Sequence, residues 1–204
     1  MTKKASRLIS GRYLSCSLLC CRFIPSHEVV VVTATDGHVA FFKLPPISKD
    51  TVENSWSFIS RFQIHQSSVK CLEIVAISGI HLVFVALIQD YVVRILTGGD
   101  DNAVHLLEVT FRETIICNVV ASVSDAHTST VTGVVSLGNS RFLSVGIDQC
   151  LRVWEFDGKG LVSLQKAYTF VADVCGIVDI NVREERKRRF VAFGTGMELI
   201  SWVI

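Results

Sequence analysis

Short apolar runs separated by polar or glycine-bearing turns recur along the chain. In the best-marked stretch, 127–155, VTGVVSL, RFLSVG and CLRVW succeed one another with turns between them. Runs of this length bounded by turn residues predict short strands of an antiparallel sheet. Three further runs, SWSFISRFQI, RETIICNVVASV and LVSLQKAYTFV, precede His65, His127 and Asp173. Each repeat is therefore expected to read outer strand, loop, then three strands moving outward from a centre. One connection departs from this plan. SGIHLVFVALIQDYVVRI, between the strand at 69–77 and the TGGDD turn, is far longer than the LGN at the equivalent place in 127–155. It is either an added hairpin, with HLVFVALI and YVVRIL as its arms, or sequence foreign to the fold.

The polar residues keep a beat inside this pattern. Asp148 precedes Trp154 by six positions, and Ser144 precedes it by ten. Thr97, Asp101 and Leu107 repeat that register, with His65 in the place of His127. So do Val32, Asp36 and Phe42, and then Ala192, Gly196 and Trp202. The aromatic-or-leucine positions fall at 42, 107, 154 and 202, and the last two gaps are 47 and 48 residues. Those gaps sit just above the ~40–45 residues of one propeller blade, and the first gap of 65 needs the insertion.

The Gly-x-Asp turn followed by Asp-x5-Trp resembles the close of a WD40 repeat, which carries Gly-His early and Trp-Asp late. Here the pairs are Ala126-His127 and Trp154-Glu155. The resemblance implies an all-β chain folded as a WD40 β-propeller of about four antiparallel four-stranded blades. The blades would span 8–44, 56–109 (with an insertion at 78–96), 111–156 and 161–204. It further implies a structural tetrad in which His127 bonds Asp148 while Ser144 and Trp154 complete the chain. His65, Thr97 and Asp101 would form a partial tetrad. Such groups need one another, because a buried imidazole or carboxylate without a partner destabilises the fold. WD40 rings more often have seven blades, so the chain is expected to form part of a larger ring, incomplete or open at a sheet edge.

Composition narrows the function. Of 204 residues, 50% are hydrophobic and 19% charged, which predicts a large core and excludes a disordered chain. The net charge of +1 supplies no global field for nucleic acid, so an RNA contact has to come from a local patch. The seven cysteines are odd in number, scattered and without a C-x-x-C pair. That argues against a zinc site or disulfide framework and for free thiols in a reducing compartment. The uncharged run 74–88 is shorter than the ~18–20 residues of a spanning helix. Lys3, Lys4 and Arg7 precede YLSCSLLCC, but Arg12 intervenes and no A-x-A site follows. The reading is a cytoplasmic protein without a membrane segment.

Candidate chemistry was weighed against this scaffold. His127, Ser144 and Asp148 contain the parts of a hydrolase triad, but no G-x-S-x-G elbow surrounds Ser144 and its neighbours have a structural role in two repeats. Phe193-Gly-Thr-Gly-Met197 is followed by the strand-like ELISWV, whereas a ligand-cradling glycine loop opens a helix. His27, His38, His81 and His105 show no metal-ligand spacing. No catalytic residue, cofactor site or metal site is therefore expected. One dense charge run remains: Arg183, Arg186, Lys187, Arg188 and Arg189, interleaved with Glu184 and Glu185. It is expected in a hairpin loop at the rim of the last blade. There it is either a solvated loop or a contact for RNA phosphates or an acidic partner.

A narrower resemblance adds to this. AHTSTVTGVVSLGNSRFLSVGIDQCLRVWEF, ADVCGIVDI and FVAFGTGMELISWV together resemble the C-terminal end of the WD-repeat regulators of tRNA wobble-position 2′-O-ribose methyltransferases. VVTATDGHVAFFKL and HQSSVKCL are similar to earlier blades of the same propeller. The similarity leaves out 78–96 and the first dozen residues. It implies a non-catalytic scaffold that binds tRNA and a separate S-adenosylmethionine-dependent methyltransferase acting on the ribose of nucleotide 34. The competing expectation is a general WD40 protein-interaction module, such as a ubiquitin-ligase adaptor or signalling scaffold.

Overall fold

The computed structural model describes residues 16–44, 56–78, 91–184 and 187–203. Among them the chain forms strands β1 (Leu18–Ile24), β2 (Val29–Ala34), β3 (His38–Lys43) and β4 (Ser57–Gln63), then β5 (Val69–Ser78), β6 (Tyr91–Gly99), β7 (Val104–Phe111) and β8 (Ile115–Val123). There follow β9 (Val131–Gly138), β10 (Arg141–Gly146), β11 (Cys150–Phe156) and β12 (Leu161–Tyr168), and finally β13 (Gly176–Glu184), β14 (Lys187–Phe193) and β15 (Met197–Val203). The described residues contain no α-helix, only a short 3-10 turn at Pro25–His27.

Hydrogen bonding groups the strands into antiparallel meanders β1-β2-β3-β4, β5-β6-β7-β8, β9-β10-β11-β12 and β13-β14-β15. The innermost strands pack side by side, β1 on β5, β5 on β9 and β9 on β13. This is a four-blade β-propeller arrangement, consistent with a WD40-type propeller. Position within a blade explains the strand compositions. The middle strands lie between two neighbouring sheets and are apolar throughout, as VVVVTA in β2 and HVAFFK in β3. The outer strands β4, β8 and β12 are largely uncovered and mix polar with apolar residues. Each outer strand pairs with the strand before it in sequence, so the sequence repeat and the hydrogen-bonded blade are offset by one strand.

Three cores lie between successive blades. Val31, Val39 and Phe41 of blade 1 meet Leu72, Val93, Ile95 and Leu107 of blade 2. Cys71, Leu96 and Leu106 of blade 2 meet Val134, Phe142 and Trp154 of blade 3. Val135, Leu143 and Val153 of blade 3 meet Ile177, Phe190 and Ala192 of blade 4. On the other side of blade 1, Val32, Ala40 and Phe42 are also buried.

Two sequence expectations change. YVVRIL is not the arm of an inserted hairpin: Tyr91–Leu96 lies in β6, paired with both β5 and β7. HLVFVALI lies outside the described residues. In blade 4 the register of the aromatic position also shifts. Trp154 pairs with Phe142, but the residue opposite the corresponding Phe190 is Ile200, and Trp202 stands opposite Arg188. Five residues separate the paired Val145 and Leu151 in blade 3, and three separate Phe193 and Met197 in blade 4. The shorter hairpin moves every later residue of β15 by two positions.

Candidate functional site

The polar quartet of blade 3 is assembled by three elements. The loop entering the blade brings His127, β10 brings Ser144, the β10–β11 turn brings Asp148 and β11 brings Trp154. The Trp154 Nε1–H donates to Ser144 Oγ at 2.8 Å, and that hydroxyl lies 2.7 Å from His127 Nε2. His127 Nδ1 is 2.9 Å from Asp148 Oδ1. The carboxylate also accepts the backbone N–H groups of Thr128 at 2.9 Å and Cys150 at 3.1 Å. All donors find acceptors when His127 is neutral with its proton on Nδ1.

The electrostatics agree. Burial lowers the His127 pKa below its ordinary value even though the Asp148 carboxylate pulls the other way. Burial alone would raise Asp148, yet the Thr128 N–H and the imidazole together hold it below the usual carboxylate range. Gly146 makes the approach possible. A Cβ there would stand 2.8 Å from the Thr130 carbonyl oxygen and 2.9 Å from His127 Nδ1.

Blade 2 repeats three quarters of this network. His65 Nδ1 is 2.7 Å from Asp101 Oδ1 and its Nε2 is 3.0 Å from Thr97 Oγ1. Gly99 takes the place of Gly146, since a Cβ there would lie 2.7 Å from His65 Nδ1. Leu107 stands where Trp154 would, so the Thr97 hydroxyl receives no indole proton. His105, unremarkable by spacing in the sequence, packs edge-on against His65 with ring centroids 4.4 Å apart. Burial and the neighbouring His65 push its pKa down to about 4.

The ligating atoms of His65, Asp101 and His105 lie close together, as do those of His127, Asp148 and Cys150. In both clusters the tetrad histidine uses both ring nitrogens, one on the carboxylate and one on a hydroxyl. A metal would have to break that network. Ser144 is fully buried with its oxygen held between Trp154 and His127, which gives a substrate no approach to it.

The other two blades solve the same turn differently. In blade 1 Asp36 Oδ1 accepts the His38 N–H at 3.2 Å and lies 3.2 Å from His38 Nδ1. In blade 4 Glu198, next to the turn rather than in it, accepts the Thr169 hydroxyl and the Phe170 N–H. Sequence spacing missed Glu198 because it pairs with Ala192, the position Arg152 holds opposite Ser144 in blade 3. A carboxylate still ties the entering segment to the hairpin.

The basic run does not form the expected loop. Arg183 belongs to β13, and Lys187, Arg188 and Arg189 belong to β14, with Glu184 paired to Lys187. Arg186 lies outside the described residues. Arg188 donates to Asp179 Oδ2 at 3.0 Å, so part of the charge is answered within the blade. Elsewhere, a cleft of about 440 Å³ opens between blades 1 and 2, lined by His27, Lys43, Ile59, Phe111, Arg112 and Glu113 among others. The His27 ring stacks on Phe111 at 4.1 Å.

No protein-family profile matches the sequence, and no curated protein matches it.

Proposed function

We propose that the chain is a non-catalytic scaffold that holds partners on its propeller surface. The observation that carries this reading is the saturation of the blade-3 quartet. The residues most able to do chemistry, Ser144, His127 and Asp148, are committed to one another and to Trp154 inside the fold. The propeller arrangement fits a protein-interaction scaffold in general.

Within that class we propose a regulatory subunit for a separate S-adenosylmethionine-dependent enzyme that methylates the 2′-hydroxyl of the tRNA wobble nucleotide. The support for this finer assignment is the sequence resemblance over 126–156, 172–180 and 190–203. Arg183 and Arg189 are the described residues of the basic run offered as RNA contacts, together with Arg186 and Lys187. The test is affinity capture of the tagged chain from cells. Co-recovery of a ribose methyltransferase and tRNA, with loss of wobble 2′-O-methylation on depletion, supports the assignment. Recovery of ubiquitin-ligase components without tRNA supports a general adaptor instead.

A further inference from the structure

In blades 1, 2 and 3 the face that looks toward the following repeat is covered by the next sheet. On blade 3 that face is a row of Val135, Leu143 and Val153, paired across three strands. Blade 4 repeats the row as Val178, Val191 and Leu199, with Phe193 and Met197 paired beside it and Ile180 beyond. Here the face is open. Met197 is 82% exposed, Leu199 60%, Val178 52%, Ile180 39% and Phe193 37%. It is the one face among the described residues on which three adjacent strands all expose large apolar side chains.

Bare backbone positions tell the same story. The space a Cβ would need at Gly98 of blade 2 is taken by Val131 of the next blade, at 2.5 Å. At Gly133 of blade 3 it is taken by Ile177 of the next blade, at 2.9 Å. At Gly176 of blade 4 the corresponding atom is the Phe193 ring of the same blade, at 2.7 Å. A face of this size and polarity marks an interaction surface.

We infer that blade 4 packs on blade 4 of a second copy of the chain, face to face across a two-fold axis. What covers this face elsewhere in the molecule is an apolar sheet of the chain itself. A head-to-tail copy finds the middle of the opposite end occupied, because Val32, Ala40 and Phe42 of blade 1 are already buried. The matching open sheet on a second copy is therefore the same face, which makes the contact isologous and closed. None of its six residues is charged, so the two-fold brings no like charges together. Six residues fall short of the ~20–30 per side of a standard interface, so the dimer is reversible, on the order of micromolar.

Sedimentation velocity on the full chain from sub-micromolar to ~100 µM tests this. A reversible monomer–dimer equilibrium is expected. The double variant V178E/L199E should weaken it at least tenfold, as should Met197→Lys at the most exposed position, which guards against a folding defect. Val162→Glu, on the exposed outer strand of blade 3, should leave it unchanged. Monomer at every concentration, a dimer indifferent to both blade-4 variants, or assemblies growing past the dimer would overturn the inference.

Discussion

The indole N–H of Trp154 donates to the hydroxyl of Ser144 at 2.8 Å, and this contact sets the direction of the blade-3 network. Because the oxygen accepts from Trp154, its own hydrogen is free to point at His127 Nε2. The imidazole proton is then on Nδ1, facing Asp148. Ser144→Ala would strand a buried donor and a buried acceptor at once. It should cost about 2–4 kcal/mol of unfolding free energy, more than Thr97→Val, which strands only His65 Nε2 at about 1–3 kcal/mol. Urea unfolding of both variants gives the comparison.

The two tryptophans that share a sequence beat should behave differently. Trp154 is buried in the core between blades 2 and 3, whereas Trp202 is partly exposed and donates to Gln165 of β12 at 2.8 Å. Trp154→Phe should cost about 1–3 kcal/mol, and Trp202→Phe less than half as much. Equal losses in thermal denaturation would place both residues in equivalent sites and contradict the register shift of β15.

Gly146→Ala should destabilise by about 1–3 kcal/mol, because the added methyl meets backbone and imidazole together. Gly158 provides the contrast. Its φ of +90° strains any L residue, but no atom lies within 4 Å of an added Cβ, so Gly158→Ala should cost about 1 kcal/mol and leave the His127 network intact. The imidazole signals of the two variants in an NMR spectrum separate these outcomes.

Acid should weaken the fold in two stages. His65, His105 and His127 all have pKa values lowered by burial, so between the ordinary value of 6.5 and about 4 the unfolded chain binds protons that the folded chain refuses. Stability is therefore greatest above pH 6.5 and falls as pH drops through that window. Asp101 and Asp148 are held below 3.8, so their contribution is present above that pH and is lost only beneath it. His105→Gln should flatten the slope between pH 4 and 6.5 in denaturation midpoints measured across the range.

The strand pattern and the blade-3 quartet were legible because both are written in local spacing. A Gly-x-Asp turn and a serine two residues before the glycine occupy one hairpin, and a single histidine precedes it. Hairpin register is not written that way. Deleting two residues from a turn leaves an Asp-to-Trp interval unchanged in the sequence while moving Trp202 from the Trp154 site to a place opposite Arg188. The contact of His105 with His65 joins residues forty positions apart, and no interval marks it. The basic run looked like a loop because charge is dense there, yet its hairpin is tight and most of its residues continue the strands.

The central claim is that blade 3 is locked by a neutral His127 held between Ser144 and Asp148. Long-range 15N–1H NMR of the imidazole measures this most directly. The account predicts an Nδ1-protonated ring with a slowly exchanging proton that stays neutral well below pH 6.5. An imidazole that titrates at its ordinary value, or carries its neutral-state proton on Nε2, would contradict it.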